Sequence, residues 1–176
     1  MIGNVSHLAV DKGHECLLKA GLVVLMRKPH VKLLIVGEGP LNNDLRALSR
    51  RLGIADNVVF AGKRADVPDL LSCMDIFAFP TLTESFGLCL IEAMASGRPV
   101  IATDDGSAPE LIINDREGIL IPPGDEKALA QAILRLMDDP ELAKRLARAG
   151  LERSNAFTVE TMTRRLESLY EAVVSL

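Results

Sequence analysis

The sequence predicts a doubly wound α/β domain, with a parallel sheet of about six strands and helices on both faces. Three observations carry this reading. Short apolar runs alternate with amphipathic stretches along the chain. Glycine or proline punctuates most of the junctions between them. The 176 residues are 48% hydrophobic and 25% charged, an ordinary composition for about one globular domain.

The elements follow in order. Ile2–Val5 is the first strand. A helix over 13–26 places Leu17, Leu18, Gly21, Leu22 and Leu25 on one stripe. Glycine weakens a helix interior, so Gly21 marks close packing on the sheet. The second strand, 32–36, stops at Gly37-Glu38-Gly39-Pro40, and a helix over 41–52 stops at Gly53. A short strand over 58–60 and a short helix over 66–73 follow. Ile76–Phe79 is the fourth strand, and a helix over 87–96 is capped by Gly97. The remaining strands are Val100–Thr103 and 118–121. The rest reads as helix: Asp125 is an N-cap, Pro140 sits in a first turn, and a last amphipathic helix covers 159–175.

Composition excludes several classes. The net charge is −4 and no long basic block appears, so nothing points to nucleic acid. Cys16, Cys73 and Cys89 stand in apolar surroundings and read as buried, reduced thiols of a cytoplasmic protein. They have no metal-ligand spacing, and His7, His14 and His30 do not join them, so no metal is expected. No apolar run approaches the roughly 20 residues of a membrane-spanning helix. No signal peptide is visible. Residues 1–5 read as a strand already in progress, so the chain is expected to be part of a longer protein.

Ligands of such sheets bind outside the carboxyl ends of the strands. There the chain places Glu84-Ser85-Phe86-Gly87-Leu88, running into a helix that carries Glu92. Free N–H groups at a helix start form an anion site. Carboxylates accept hydrogen bonds and so suit sugar hydroxyls. If helical throughout, the eight-residue step from Glu84 to Glu92 would span on the order of 12 Å, comparable to the length of a nucleotide sugar. The two acids alone fit equally well a helix start facing water. Lys12 adds a cation after the first strand, where it could reach phosphate, although a lone lysine there is more often a surface residue. Gly62, Lys63 and Arg64 stand after the third strand, Glu38 and Gly39 after the second, and 106–110 after the fifth.

The run 84–88, then Ile91-Glu92-Ala93-Met94-Ala95, then Gly97-Arg98-Pro99-Val100-Ile101-Ala102, resembles the donor domain of glycosyltransferase family 4. Glu84 and Glu92 match that family's pair of glutamates separated by seven residues. Lys12-Gly13, 37–40, 66–71 and 122–125 also fit, so the resemblance covers nearly the whole chain. It implies the Rossmann-like C-terminal half of the two-domain GT-B architecture. Glu84 would contact the donor sugar, and Ser85, Phe86, Gly87 and Leu88 would offer backbone amides to sugar or phosphate. Glu92 would hold the ribose, Lys12 the diphosphate, and Lys63 and its neighbours the base. Asn4 stands where many members carry an arginine on the phosphates, which leaves Lys12 as the clear cation of the first loop.

The implied reaction is retaining transfer from a UDP- or GDP-sugar to an acceptor hydroxyl. Lys12 and the helix N-terminus would stabilise the leaving diphosphate, without a metal or other cofactor. The acceptor, a glycan or lipid-linked glycan, would be bound by an absent N-terminal domain, and the whole enzyme would be cytoplasmic or peripheral at the inner membrane face. The last helix would cross to that domain, exposing a stripe of Met162, Leu166 and Leu169. The rivals are another GT-B enzyme such as a sugar-nucleotide epimerase, a dinucleotide-dependent oxidoreductase and a carbohydrate-binding module. Gly3-Asn4-Val5-Ser6-His7 does not fit the Gly-x-Gly-x-x-Gly an oxidoreductase needs. The chain has no Trp and a single Tyr, against the aromatic platforms of a sugar-binding module.

Overall fold

A computed structural model describes residues 1–174. The six strands are β1 (Ile2–Val5), β2 (Leu33–Val36), β3 (Val58–Gly62), β4 (Ile76–Phe79), β5 (Val100–Thr103) and β6 (Ile119–Ile121). They form one sheet in the order β3-β2-β1-β4-β5-β6, with every neighbouring pair parallel. The connection reverses direction between β1 and β4 at the centre, which is where a doubly wound sheet opens a crevice.

Alternation along the strands explains the two layers of helices. Leu33 and Ile35 of β2, Ile76 and Ala78 of β4, and Ile101 of β5 enter one core. Leu34 and Val36, Phe77 and Phe79, and Val100 and Ala102 enter the other. Both faces are buried, so these strands read as unbroken apolar runs. The first core is closed by α1 (His14–Arg27), α2 (Asn42–Arg51) and α6 (Glu126–Asp138). The second is closed by α3 (Val67–Ser72) and α4 (Leu88–Ala95). A Cβ on Gly21 would stand 2.4 Å from Leu33 Cδ1, so this glycine does permit α1 to lie close on the sheet.

Side-chain caps fix the later helices. Asp125 accepts from the amides of Lys127 and Ala128 at the head of α6. Asp139 accepts from Leu142 N at the head of α7 (Pro140–Ser154). The sequence reading differs from the structure in three places. β3 continues two residues past Phe60, a four-residue α5 (Ala108–Leu111) follows β5, and Cys73 is exposed while Cys16 is buried and Cys89 half-buried. Cys73 terminates the short α3, which leaves its side chain at the surface rather than in the apolar layer.

The last helix, α8 (Val159–Val174), has no buried residue. Its expected extension to Ser175 lies outside the described residues. Met162, Leu166 and Leu169 are 56%, 42% and 57% exposed. Among the described residues no helix is long and apolar enough to cross a membrane.

The contrast between core and α8 gives a test. Leu17 is wholly buried, so Leu17→Ala should cost about 2–5 kcal/mol of unfolding free energy. Leu166→Ala should stay within about 0.5 kcal/mol. Urea denaturation of both variants checks the pair.

Candidate functional site: a groove along the strand ends

The site is built where β1 and β4 lie side by side. After β1 the chain runs through a 3-10 turn, Val10–Lys12, and Gly13 at φ 67° turns it into α1. A Cβ at Gly13 would fall 1.8 Å from the carbonyl oxygen of Pro80, the residue that follows β4. Leu82 N donates to Asp11 O at 2.7 Å and closes the same contact. The two loops therefore pack backbone to backbone.

That contact delivers Lys12 to Glu84. The Lys12 Nζ–Glu84 Oε2 distance is 3.0 Å, and Asp11 Oδ2 lies 3.1 Å from the same ammonium. Burial acts to lower the Lys12 pKa, but hydrogen bonds to Glu84 and Asp11 outweigh it and hold the pKa above its ordinary value. Asp11 is held below the usual carboxylate range chiefly by its hydrogen bond to Lys12. Glu84 Oε1 also accepts from Ser85 N at 3.1 Å. Two of the three ammonium donors face carboxylates, and the third remains for another acceptor.

Glu84 precedes α4 by a short loop. Gly87 caps the helix in the left-handed conformation, φ 83°, so residues 84–87 are not helical and the all-helical spacing to Glu92 does not apply. Among the described residues no side chain caps α4, and Leu90 N and Ile91 N donate to Gly87 O at 3.0 and 3.2 Å. Glu92 is exposed one turn further on. Cys89 lies between the two acids: its pKa is raised first by burial, then by the charges of Glu92 and Glu84.

Three adjoining clefts form one groove. The first, about 290 Å³, runs from Ser6 and His7 past Glu38 to Lys63 and Arg64. The second, about 270 Å³, shares Ser6 and His7 and continues to Lys12, Glu84, Phe86, Gly87 and Leu88. The third, about 340 Å³, shares Lys12, Glu84 and Ser85 and ends at Thr83, Asp105 and Gly106. A larger hollow of about 510 Å³ lies on the outer surface of α7 among Glu141, Lys144, Arg148 and Glu152. All of its lining belongs to α7, so it amounts to the charged face of one helix.

Most expected site residues thus meet at one rim. Lys12, Glu84, Ser85, Phe86, Gly87 and Leu88 line the middle, with Lys63 and Arg64 at one end and Gly62 closing β3 beside them. Lys63 stands 3.6 Å from Glu38, and Arg64 pairs with both oxygens of Asp66 at 2.8 and 2.6 Å.

Two expected residues are exceptions: Glu92, exposed on α4, is not among the residues lining the three clefts, and Asn4 lies below the rim. Asn4 is fully buried within β1, and its amide donates to Ala78 O at 2.8 Å. Its carbonyl oxygen accepts from Ser6 Oγ at 2.8 Å. The groove placement expected for Asn4 is therefore corrected: its side chain joins β1 to β4 and supports Ser6. Sequence reasoning missed Ser6 and His7, the first residues beyond the strand end, where counting from the end of β1 would have found them.

It also missed His14. This ring is 1% exposed, and its Nε2 lies 3.0 Å from Ser6 Oγ. Ser6 Oγ thus stands within hydrogen-bond distance of both Asn4 Oδ1 and His14 Nε2. Nδ1 has no hydrogen-bond partner among the described residues. Burial lowers the His14 pKa from 6.5 to about 4, against the pull of the Ala9 carbonyl. Asn4, Ser6 and His14 thus anchor the start of α1 beneath Lys12.

Among the described residues no group of His, Cys, Asp or Glu is arranged to hold a metal ion.

Comparison with known proteins places the chain in a family. The family model for glycosyl transferases group 1 matches residues 1–139. The chain belongs to this family. It is 32% identical to the lipopolysaccharide core biosynthesis mannosyltransferase LpsB of Rhizobium meliloti, over 98% of this chain and 50% of that protein. It is 34% identical to the D-inositol 3-phosphate glycosyltransferase of Segniliparus rotundus, over 99% of this chain and 40% of that protein. The chain therefore spans about half or less of the length of these relatives. Among solved structures, HepE of Anabaena in complex with UDP superposes with a TM-score of 0.90 at 30% identity, covering 99% of this chain and 48% of that one. The C-terminal domain of a glycosyl transferase group 1 family protein from Francisella tularensis gives 0.83 at 27% identity, covering 90% and 86%. The fold is that of the C-terminal domain of GT-B glycosyltransferases.

His14 provides a test through pH. Its folded pKa lies below its unfolded value, so the unfolded chain binds the extra proton between 6.5 and about 4. Its effect on stability is absent above that window and destabilising as pH falls through it. Unfolding free energy should drop by about 2 kcal/mol between pH 7 and pH 5 on this account. In His14→Gln that drop should largely disappear, as chemical denaturation at the two pH values would reveal.

Proposed function

We propose that this chain is the donor-binding half of a retaining glycosyltransferase, which moves a sugar from a nucleoside diphosphate sugar to an acceptor hydroxyl. The observation that carries the reading is the Lys12–Glu84 pair at 3.0 Å, set before the uncapped start of α4 in a continuous groove. A diphosphate suits the middle of this groove. The amides of α4 point their positive end toward it, and Lys12 retains one free N–H donor. The same groups stabilise charge that develops on the departing phosphate. Glu84 then accepts from donor-sugar hydroxyls, and Glu92 from the ribose. Gly62, Lys63 and Arg64 border the base, and the amides from Ser85 to Leu88 serve sugar or phosphate.

The relatives support this reading. Structures of HepE are described in complex with UDP, with UDP and glucose, and with UDP-glucose. The donor here is a UDP- or GDP-sugar, and neither metal nor cofactor enters the scheme. A second domain supplies the acceptor, a glycan or lipid-linked glycan, so the chain alone binds donor without efficient transfer. The enzyme works in the cytoplasm, at the inner membrane face where the acceptor is lipid-linked.

The division of labour is testable by titration calorimetry with UDP and GDP against UDP-glucose and GDP-mannose. Glu92→Ala should weaken the free diphosphate and the sugar-bearing form alike. Glu84→Ala should weaken mainly the sugar-bearing form. A charge-assisted hydrogen bond contributes roughly 1.5–3 kcal/mol, so each loss should be about tenfold or more. Lys12→Ala should weaken both ligands, less so at high salt. Equal losses for both ligands in Glu84→Ala would refute its assigned role.

A further inference from the structure

The loop after β5 enters the groove beside Glu84. Gly106 there has φ 58°, and a Cβ on it would stand 2.4 Å from the Glu84 carbonyl oxygen and 3.3 Å from the Glu84 nitrogen. Both neighbours are backbone atoms, which cannot swing aside as the end of a long side chain can. Three residues earlier, the buried Thr103 donates its hydroxyl to Thr81 O at 2.6 Å. The segment 81–84 is thus gripped twice from the β5 side. On the β1 side it is held by Leu82 N donating to Asp11 O. Glu84 lies between these supports.

We infer that Gly106 is a positioning residue: by letting the β5 loop press directly on the Glu84 backbone, it sets where the Glu84 carboxylate stands. This rests on the donor-binding reading above, with Glu84 at the sugar. A side chain at 106 must push the Glu84 backbone or move its own loop. Hydrogen bonds weaken steeply with misalignment, and a displacement near 1 Å is enough to spoil a site. Gly106 itself need not touch the sugar.

The obvious variant, Gly106→Ala, adds a clash and also forces alanine into a left-handed conformation. Gly97 separates the two effects. Its φ is 66°, and a Cβ there meets nothing within 4 Å. Gly97→Ala therefore carries the conformational cost without the clash. Both variants are compared with the unmodified chain by thermal unfolding, by calorimetry with UDP against UDP-glucose and GDP against GDP-mannose, and by the backbone amide resonances of Glu84 and Ser85. Gly106→Ala should lose about fivefold or more in affinity for the sugar-bearing ligand, while the free diphosphate stays within about twofold. It should shift both amide resonances, and Gly97→Ala should shift neither. Unshifted resonances in Gly106→Ala, or equal losses for the two kinds of ligand, would overturn the inference. If no nucleotide binds the unmodified chain, the donor reading falls and the role in sugar binding falls with it. The resonances would then still report whether Gly106 places Glu84.

Discussion

Lys12 and Glu84 are separated by 72 residues in sequence and by 3.0 Å in space. The closeness depends first on a steric condition, that nothing projects from Gly13 toward Pro80 O. β1 and β4 are hydrogen-bonded neighbours at the centre of the sheet, but their loops leave toward α1 and α4 in different layers. Without the Gly13 contact the strands would still pair, yet the loops would stand apart by the width of a side chain. The ion pair and the middle of the groove that it lines follow from that approach.

The polar groups below the rim make the arrangement rigid. Asn4 ties β1 to β4, Ser6 ties Asn4 to His14, and His14 opens α1 directly after Lys12 and Gly13. Such a chain inside an apolar sheet is costly unless its members are paired, and most of them are. At the rim itself charges are already matched: Lys12 with Glu84 and Asp11, Lys63 with Glu38, Arg64 with Asp66. An anionic ligand entering this groove exchanges partners rather than meeting bare cations. Its affinity is therefore a difference between two sets of ion pairs, and the screened, exposed pairs at the Lys63 end contribute least.

α8 stands apart from this economy. It has the amphipathic pattern of a packed helix, but its apolar stripe is exposed in the chain as described. The same pattern in α6 buries Leu129, Ile133 and Leu136 against the sheet. Helical periodicity reports that a face is apolar, and it is silent on what covers that face.

The sequence by itself determined the layers. Alternating apolar runs placed all six strands and their order along the chain, and Gly21, Asp125 and Pro140 marked a close packing, a cap and a helix start. It also named the loops of the groove, because in a parallel sheet every strand ends at the same rim. Short elements escaped it: the four residues of α5 carry too little periodicity to read, and the last residues of β3 form part of a loop-like Gly-Lys-Arg run. Only the tertiary structure decided which side chains line the groove. Asn4 looked like a rim residue and proved to be buried, because a strand's alternation selects a face while its depth depends on the neighbouring strand. Gly106 read as a loop glycine and proved to press on Glu84. Strand pairing brings together residues far apart in the chain, and the distances between their loops are set by contacts, such as those of Gly13 and Gly106, that no local pattern encodes.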